Sequence, residues 1–357
     1  MQRDLNILVS NIALPSKVIG SWTTRLSLLN SNHNLFDFVL SPSNFSNTYL
    51  YCKKRNFFTW RKEVRNLLLK YWVGKDYIKA LRKLSKKASK LTIVVMDDAH
   101  LLEAIILSKS KFSCPVKIVF SFHGFRLQLE ENILKEIDKI LFLSYSGYEV
   151  SKKDCFPKAA IVGNGVNSDI FYPLTNDGYQ KVRIEKGFNL EDEILIWVAN
   201  DRPKKGFNVF KDVVRKLLVI NPTLKVLVIG TTKRIEHENV RNIGRISNTE
   251  VSKYLQISNY YMFTTFYEEG FGLSMIEAMK CGNSIIASNR GAIPEVLKSL
   301  KYTYLVNDIE HVENWIEAFN LARKETNFGK KRRLKSETDS IWDYKDWEQK
   351  FINGILE

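Results

Sequence analysis

Two carboxylates on either side of a glycine-containing loop are the feature of this sequence that most clearly suggests chemistry. Glu269 and Glu277 stand eight positions apart. The residues that follow the first carboxylate are Gly270, Phe271, Gly272, Leu273 and Ser274. Glycines let the backbone approach a diphosphate, a helix N-terminus attracts its negative charge, and carboxylates accept hydrogen bonds from sugar hydroxyls. These residue types at this spacing indicate a sugar-nucleotide site.

A strand, a loop and a helix must position these groups. The apolar run 257–265 predicts a buried strand, and the helix that follows is predicted over 275–280. Ser274 stands where an N-cap or first-turn residue belongs, and unpaired N–H groups there favour an anion. Glu277 is then expected at a ribose, and Glu269, still on the loop, at the other end of the ligand. On spacing alone, an ordinary strand–loop–helix unit of an α/β protein is the favoured alternative.

The longer string 264–297 resembles the E-x7-E segment of retaining glycosyltransferases of family 4, which have the GT-B fold. The matching positions are Glu269, Gly270, Phe271, Gly272, Glu277, Ala278, Gly282, the strand 284–287, Gly291, Pro294 and Glu295. The family often has proline where this chain has Ser274, and serine also suits a helix start. The resemblance implies an α/β protein of two Rossmann-like domains that face each other across a cleft. It also implies that the loop with Pro294 closes the donor pocket.

A second donor contact is expected at the segment 198–206, which follows a predicted strand and opens a helix. Lys205 before Gly206 matches a Lys-Gly pair of the family, so the resemblance implies a phosphate role for this lysine. A surface lysine is the alternative interpretation. The family usually has arginine five residues earlier, where Asn200 stands. We expect Arg202, or the neighbouring Lys204, to substitute for it.

The nucleobase is expected beside Arg245 and Ile246, mainly through their backbone. Uracil, guanine and adenine are all compatible with these residues, and we expect a UDP- or GDP-sugar as the donor substrate. No Asp-x-Asp motif is placed for a metal, so we expect positive protein groups to take the part of Mg²⁺. No metal and no cofactor besides the donor substrate is therefore predicted.

The first half of the chain carries fewer matching positions. His123 follows a predicted strand, and the resemblance implies a place near the reacting sugar carbon and its hydroxymethyl group. A core or capping histidine is the alternative. The family often has paired glycines after the first strand, of which only Gly20 is present, so a contact with the donor sugar or acceptor is predicted there. Asp97, Asp98 and His100 follow another strand and suit either the acceptor or an ordinary loop.

The order of elements predicts two domains in tandem. Strands alternate with helices, which is typical of a mostly parallel sheet with helices on both faces. Strands are predicted at 5–14, 36–40, 91–96, 116–122, 137–144, 160–162, 193–199, 224–229, 239–243, 257–265 and 284–287. We expect an acceptor-side domain over 1–165, a nucleotide-sugar-binding domain over 166–339, and a linker near 165–190. By resemblance, a C-terminal helix at 340–357 packs back on the first domain.

Charge is concentrated in one segment. The chain has a net charge of +15, and residues 53–90 contain 14 Lys/Arg but two acidic residues. Interleaved aromatic and aliphatic residues favour an anionic membrane surface, although a solvated helical face and nucleic acid are alternatives. No zinc finger or RNP motif supports the last. No apolar run of transmembrane length occurs, and the four cysteines are scattered. We therefore expect a cytoplasmic protein that can lie on the inner face of the cell membrane.

Together these observations predict a retaining, metal-independent hexosyltransferase. It would move a sugar from a nucleoside diphosphate sugar to a glycan or lipid-linked acceptor in cell-envelope polysaccharide or lipopolysaccharide synthesis. By resemblance, attack occurs on the face that the diphosphate leaves. The enzyme alternative is a nucleotide-sugar epimerase of the GT-B fold, which would release an isomer without an acceptor. The non-enzyme alternative is a basic nucleic-acid-binding protein, whose binding would depend steeply on salt.

Overall fold

A computed structural model describes residues 2–15, 21–56 and 62–357 of the chain. The chain divides into two compact units, with the change at Val162 and Gly163. The predicted change was at 165 and 166. Residues 348–357 belong to the first unit, and the rest after Gly163 belong to the second.

The first unit is built on a seven-stranded sheet in which every neighbouring pair is parallel. The strands are β1 Arg3–Val9, β2 Phe38–Ser41, β3 Tyr49–Tyr51, β4 Ala88–Met96, β5 Val116–Ser121, β6 Lys139–Phe142 and β7 Lys158–Ile161. Their spatial order is β3-β2-β1-β4-β5-β6-β7. Such strands are buried on both faces, which explains the continuous apolar runs of β1 and β4.

Helices cover this sheet. They are α1 Ser21–His33, α2 Lys62–Leu68, α3 Lys75–Ser85, α4 Ala99–Ile106, α5 Glu131–Leu134 and α6 Tyr145–Glu149. A π-helical turn, Leu69–Val73, joins α2 to α3. The basic segment is thus helical over most of 62–85, as its spacing predicted, whereas residues 88–90 belong to strand β4. Tyr77, Leu81 and Leu84 of α3 turn inward to the core.

The second unit has a six-stranded parallel sheet. Its strands are β8 Ile194–Val198, β9 Lys225–Ile229, β10 Val240–Gly244, β11 Tyr260–Phe263, β12 Ser284–Ser288 and β13 Thr303–Val306, in the order β10-β9-β8-β11-β12-β13. Its helices are α7 Asn176–Glu185, α8 Phe207–Ile220, α9 Asn248–Ile257, α10 Leu273–Lys280, α11 Ile293–Val296, α12 Val312–Glu325 and α13 Lys335–Thr338. The core includes Trp197 stacked on Phe210, with ring centroids 5.7 Å apart.

The strand β8 lies beside β11 in this sheet, and both run in the same direction. Because parallel strands end at the same edge, the loops after Val198 and Phe263 meet there. Those two loops carry the segments for which donor contacts were predicted. The topology therefore brings together residues that are far apart in the sequence. Lys205 and Glu269, which are 64 positions apart, are one such pair.

Two predictions about chain organisation differ from the structure. The first strand was predicted to continue to Leu14, but it ends at Val9 because the Ser10 hydroxyl donates to the carbonyl oxygen of Ile12 (2.9 Å) and forms a local turn. The linker predicted near 165–190 contains helix α7. Thr175 caps that helix by accepting from the N–H of Gly178 (3.3 Å).

The last helix, α14, spans Tyr344–Leu356 and belongs by sequence to both units. Its final turn lies in the first unit, where Lys117 Nζ donates to the carbonyl oxygen of Ile355 at 2.8 Å. Gly354 faces Leu141 in the same unit. Within the described ranges, no helix is long and apolar enough to cross a membrane.

Candidate functional site

A lysine and a glutamate from two different loops form the centre of the candidate site. Lys205 Nζ lies 2.6 Å from Glu269 Oε1, and their side chains are 19% and 16% exposed. The Thr265 hydroxyl donates to the same carboxylate oxygen at 2.9 Å. The ammonium group also lies 5.7 Å from the ring centroid of Phe263 and 5.5 Å from that of Tyr267. The loops thus present one oriented cation and one oriented carboxylate.

A close approach between backbones fixes Lys205. A Cβ added to Gly206 would lie 1.7 Å from the carbonyl oxygen of Thr264, and Gly206 has φ of +78°. Only glycine allows this contact in this conformation. The Phe266 N–H also donates to the Lys204 carbonyl oxygen at 2.6 Å. The sequence pair Lys-Gly is therefore required by local geometry as well as by any contact of the lysine with a ligand.

The helix α10 begins at the other side of Glu269. Its N-cap is Gly272 in the left-handed conformation, with φ of +87° and no side chain capping the first turn. Ser274 is therefore not the N-cap. It lies in the first turn, where its hydroxyl accepts from the Tyr261 hydroxyl at 2.9 Å. The helix α8 likewise begins at a glycine, Gly206, without a side-chain cap.

Glu277 lies one turn into α10 and is largely buried. Burial raises the pKa of the Tyr261 hydroxyl, and the charges of Glu277 and Glu269 raise it further. The Tyr261 hydroxyl itself lies near the Val198 carbonyl oxygen at 3.2 Å and the Ser274 hydroxyl at 2.9 Å, so it links the end of β8 to the first turn of α10. Sequence reasoning missed Tyr261. Its position at the centre of an apolar strand gave no polar signal.

A second cation and a second acid come from two loops, Arg245 from the loop after β10 and Asp201 from the loop after β8. Arg245 Nη2 lies 3.0 Å from Asp201 Oδ2. Hydrogen bonds from Thr231 and Thr232 lower the pKa of Asp201. Asp201 was also missed, although its place directly after strand β8 is a usable signal. Arg202 is exposed, and Ile246 is half-buried.

The remaining predicted donor positions differ in accessibility. The side chain of Phe271 is buried and packs edge-on against Trp342, with ring centroids 4.9 Å apart. Any donor contact at Phe271 is therefore left to its backbone. Gly270 is buried and Leu273 half-buried. The loop after β12 reaches this region, since the Ala292 N–H donates to the Glu269 carbonyl oxygen at 2.8 Å.

In the first unit, two strand ends are joined at His123. Its N–H donates to Asp97 Oδ1 at 2.8 Å, and its Nε2 lies 3.1 Å from the Ser121 hydroxyl. Burial, followed by the positive charge of Arg25, lowers the pKa of His123 to about 3. The imidazole is therefore neutral at pH 7. Gly20 lies outside the described residues.

Asp97 and Asp98 have different environments. Asp97 has an unusual φ of +43°, and desolvation raises its pKa to about 6. Asp98 caps helix α4 by accepting from the Leu101 N–H at 3.0 Å. It also accepts from Lys54 Nζ and from Asn11 Nδ2, each at 2.6 Å. These contacts favour a structural role for Asp98.

No metal cluster is found among the residues that the structure describes: none of their histidines, cysteines and carboxylates gather in threes. The charged groups of the candidate site instead include the ion pairs Lys205–Glu269 and Arg245–Asp201.

Residues 179–338 match the model of a protein family described as glycosyl transferases group 1. This region belongs to that family. It includes β8 to β13 and every predicted donor residue from Arg202 to Glu277. The resemblance to family 4 glycosyltransferases that the sequence suggested is thereby confirmed.

Curated relatives agree with this assignment. A phosphatidyl-myo-inositol mannosyltransferase of Propionibacterium freudenreichii is 29% identical over 46% of this chain and 42% of its own length. An uncharacterized 41.2 kDa protein in the cps region of Klebsiella pneumoniae is 23% identical over 83% of this chain and 85% of its own. Spore coat protein SA of Bacillus subtilis is 23% identical over 52% and 55%. The chain thus spans about half the length of the first and of the third of these relatives.

Solved structures share the fold of the whole chain. Sucrose-phosphate synthase of Thermosynechococcus elongatus superposes with a TM-score of 0.70 at 15% identity, covering 98% of this chain and 97% of that one. Anabaena HepE in complex with UDP and glucose gives 0.70 at 11%, covering 98% of each chain. A glycosyltransferase of Rickettsia africae gives 0.67 at 15%, covering 100% and 99%. With two parallel α/β sheets, this confirms the predicted GT-B fold of two Rossmann-like units.

Proposed function

We propose that this chain is a retaining glycosyltransferase that moves a hexose from a nucleoside diphosphate sugar to a glycan or lipid-linked acceptor. One observation carries the proposal. The ion pair of Lys205 and Glu269 stands between two helices that begin at glycines without side-chain caps, Gly206 and Gly272. Open helix N-termini and an ammonium group together suit a diphosphate.

The ion pair suggests how the donor is received. A β-phosphate near α8 and α10 would compete with Glu269 for the ammonium group of Lys205. When Lys205 turns to the phosphate, the Glu269 carboxylate becomes available to the sugar hydroxyls. Negative charge grows on the phosphate as the bond to the anomeric carbon breaks, and Lys205 with the α10 N–H groups stabilises it. Glu277, one turn further along, binds the ribose.

We propose that attack occurs on the face from which the diphosphate departs, with a phosphate oxygen accepting the proton of the acceptor hydroxyl. The new glycosidic bond forms as the bond to the phosphate breaks, so the configuration of the anomeric carbon is retained. No resident metal is included in this scheme. NMR assignment of the product anomer tests retention, and activity that persists in excess EDTA tests independence from metal.

The choice of donor and acceptor is supported by the named proteins. HepE was captured with UDP and glucose, and several curated relatives are named as mannosyltransferases. The Klebsiella relative is named for a cps region. We therefore propose a UDP- or GDP-hexose donor and a role in cell-envelope polysaccharide or glycolipid synthesis. His123, as a neutral imidazole, is assigned to the hydroxymethyl side of the sugar.

We also propose that the enzyme is cytoplasmic and associates with an anionic membrane through its basic segment, 53–90. The exposed cations of α3 and the following turn are Lys75, Lys79, Arg82, Lys83, Lys86 and Lys87, and Lys90 is exposed on strand β4. Each basic residue near an anionic membrane contributes about 1 kcal/mol. Replacing Lys79, Arg82, Lys83, Lys86 and Lys87 by glutamine should reduce sedimentation with phosphatidylglycerol vesicles. Unchanged sedimentation would reject this association.

The donor is tested by a thermal-shift panel of nucleotides and sugar nucleotides. We expect a UDP- or GDP-sugar to raise the Tm of the wild type and to have little effect on Lys205→Met. A product assay with and without a glycan acceptor then separates transfer from epimerisation. Formation of an isomeric sugar nucleotide in the absence of acceptor would support the epimerase instead.

A further inference from the structure

An open groove runs beside helix α3 in the first unit. It has a volume of about 790 Å³. Its floor includes Leu5, Phe38 and Leu50, which come from the three neighbouring strands β1, β2 and β3. Ala80 and Leu84 form the apolar wall on the helix side. Within the described residues, the groove therefore continues the hydrophobic core to the surface beside α3.

The shape of the groove follows from the helical repeat. The lining residues form two adjacent rows with a spacing of four, Asp76, Ala80 and Leu84 in one and Lys79, Lys83 and Lys87 in the other, which places them on one face of α3 and the turn that follows it. The helix is 11 residues long, equivalent to about 16 Å. Phe38, Leu50 and Ala80 are only partly buried, although they pack on the core. A narrow apolar trough of this length suits one extended hydrocarbon chain.

The rim of the groove is cationic and lacks internal counter-charges. Lys79, Lys83 and Lys87 are exposed along its helix side. Asp76, the acidic residue of the lining, is already engaged by Arg55 Nη2 at 3.1 Å. In the described part of the chain, no ion pair involves any of the three lysines. Like charges one helical turn apart repel each other, so this row of lysines favours an anionic partner.

We propose that this groove binds one acyl chain of an anionic phospholipid, while Lys79, Lys83 and Lys87 contact its phosphate. Apolar grooves of this volume with a few placed charges are typical of ligand sites. The occupant must combine a hydrocarbon chain with a phosphate, because the floor is apolar and the rim is positive. The proposal rests on the membrane association proposed above, and it adds a specific lipid site to a general electrostatic attraction.

A neighbouring surface provides a matched control. The other side of α3 is equally basic and includes Lys75, Arg82 and Lys86, which line a neighbouring depression with Tyr71 and Ile78. Lys79 and Lys83 lie on the ridge between this depression and the groove and line both, whereas Lys75, Arg82 and Lys86 do not line the groove. Neutralising those three residues removes the same charge from the same helix and leaves the groove intact. A simple electrostatic surface would not distinguish the two sets.

The test uses the full chain and calorimetry with monomeric myristoyl lysophosphatidylglycerol, below its critical micelle concentration. We expect saturable binding to the wild type. Glycerol 3-phosphate, which lacks the chain, and myristoyl lysophosphatidylcholine, which lacks the net charge, should each bind about tenfold more weakly or worse. Lys79→Gln/Lys83→Gln/Lys87→Gln should lose at least about tenfold in affinity, and Lys75→Gln/Arg82→Gln/Lys86→Gln should change little.

Filling the groove separates the chain from the charge. Ala80→Phe, with Ala80→Leu as a milder version, should weaken lysophosphatidylglycerol binding while sedimentation with phosphatidylglycerol vesicles is largely kept. Equal binding of glycerol 3-phosphate, unchanged binding by both Ala80 variants, or equal losses in the two triple variants would overturn the lipid site. Lysolipid binding that persists in a protein that ignores vesicles would support the groove and reject the membrane association alone.

Discussion

The carboxyl-terminal edges of the two sheets differ in whether a side chain caps the helix that follows the strand. In the first unit, strand β4 leads into α4, and Asp98 caps that helix with its own carboxylate. In the second unit, β11 leads into α10, and Gly272 leaves the helix N-terminus without a side-chain cap. A carboxylate of the protein thus occupies the anion position of one helix, whereas the corresponding position of the other is left to a ligand.

The charged groups beside the two helix starts also differ between the two edges. At the second edge, a lysine and a glutamate are held as an ion pair beside the uncapped helix. At the first, His123 is neutral at pH 7 and the pKa of Asp97 is raised to about 6. Under the proposed function, the second edge would receive the diphosphate and the first would face the sugar hydroxyls.

The largest effect is expected from removing the cation of the second edge. Lys205→Met should lower kcat/KM for sugar transfer by about 100- to 1,000-fold, because a preorganised charge on the leaving phosphate is lost. Lys211→Met, one turn into α8, serves as the control and should retain activity. Steady-state kinetics with the donor identified by thermal shift provide the measurement. If both variants lost activity equally, the loss would not be specific to Lys205, and the proposed role of the second edge would be contradicted.

The backbone contact beneath Lys205 should have the next largest effect. Gly206→Ala should destabilise the chain by about 2–4 kcal/mol, since the new Cβ meets the Thr264 carbonyl oxygen in addition to the strain of a positive φ. Gly244→Ala also has a positive φ, of +77°, but open space around the Cβ. It should cost only about 1 kcal/mol. Urea unfolding compares the two variants, and similar losses would show that crowding at Thr264 is unimportant.

The ribose role of Glu277 is expected to appear as a loss of donor affinity. Glu277→Gln should weaken donor binding by about 10- to 100-fold, as expected for a lost charged hydrogen bond. Glu317→Gln, on the exposed face of α12, is the control. Isothermal calorimetry measures both. An unchanged affinity in Glu277→Gln, with a native unfolding profile, would refute the assignment.

The smallest effect is expected at the first edge, where two groups oppose each other between about pH 4 and pH 6. The folded-state pKa of His123 is lowered, so the unfolded chain binds the extra proton and stability increases as the pH rises. The folded-state pKa of Asp97 is raised, so the folded chain keeps the proton longer and stability decreases as the pH rises.

Substitution should separate these two contributions. Asp97→Asn retains an acceptor for the His123 N–H and should make the increase of stability with pH steeper. His123→Gln should make it shallower or reverse it. Urea unfolding of each variant, compared with the wild type at several pH values, gives the slopes. If the three curves of stability against pH were parallel, neither His123 nor Asp97 would have a shifted pKa in the folded chain. The neutral character of this edge would then be contradicted.

Much of the fold could be predicted because strands and helix starts have local causes. Apolar β-branched runs such as 91–96 lie within observed strands, and glycines stand at both helix starts of the site. Boundaries were less accurate. The first strand stops at Val9 because of a hydroxyl-to-carbonyl bond, and helix α7 occupies a predicted linker because Thr175 caps it.

The buried partners of the site could not be predicted in this way. Tyr261 and Phe271 both stand in an apolar sequence context, yet the hydroxyl of one donates to Ser274 in the first turn of α10 and the ring of the other fills the interior against Trp342. Arg183 of α7 is another example, since it is fully buried and donates to the backbone carbonyl oxygens of Ile257 and Leu190. Which polar groups become buried depends on packing between distant segments.

The sequence by itself determined the types of elements, the family of the second unit and the residues that could grip a sugar nucleotide, because these depend on local spacing and on glycine. Only the tertiary structure decided that Lys205 and Glu269 form an ion pair across 64 positions. It also decided that His123 is neutral and that α3 leaves an apolar groove open. These properties depend on which strands lie side by side and on how much water they exclude, and no short window of sequence records either.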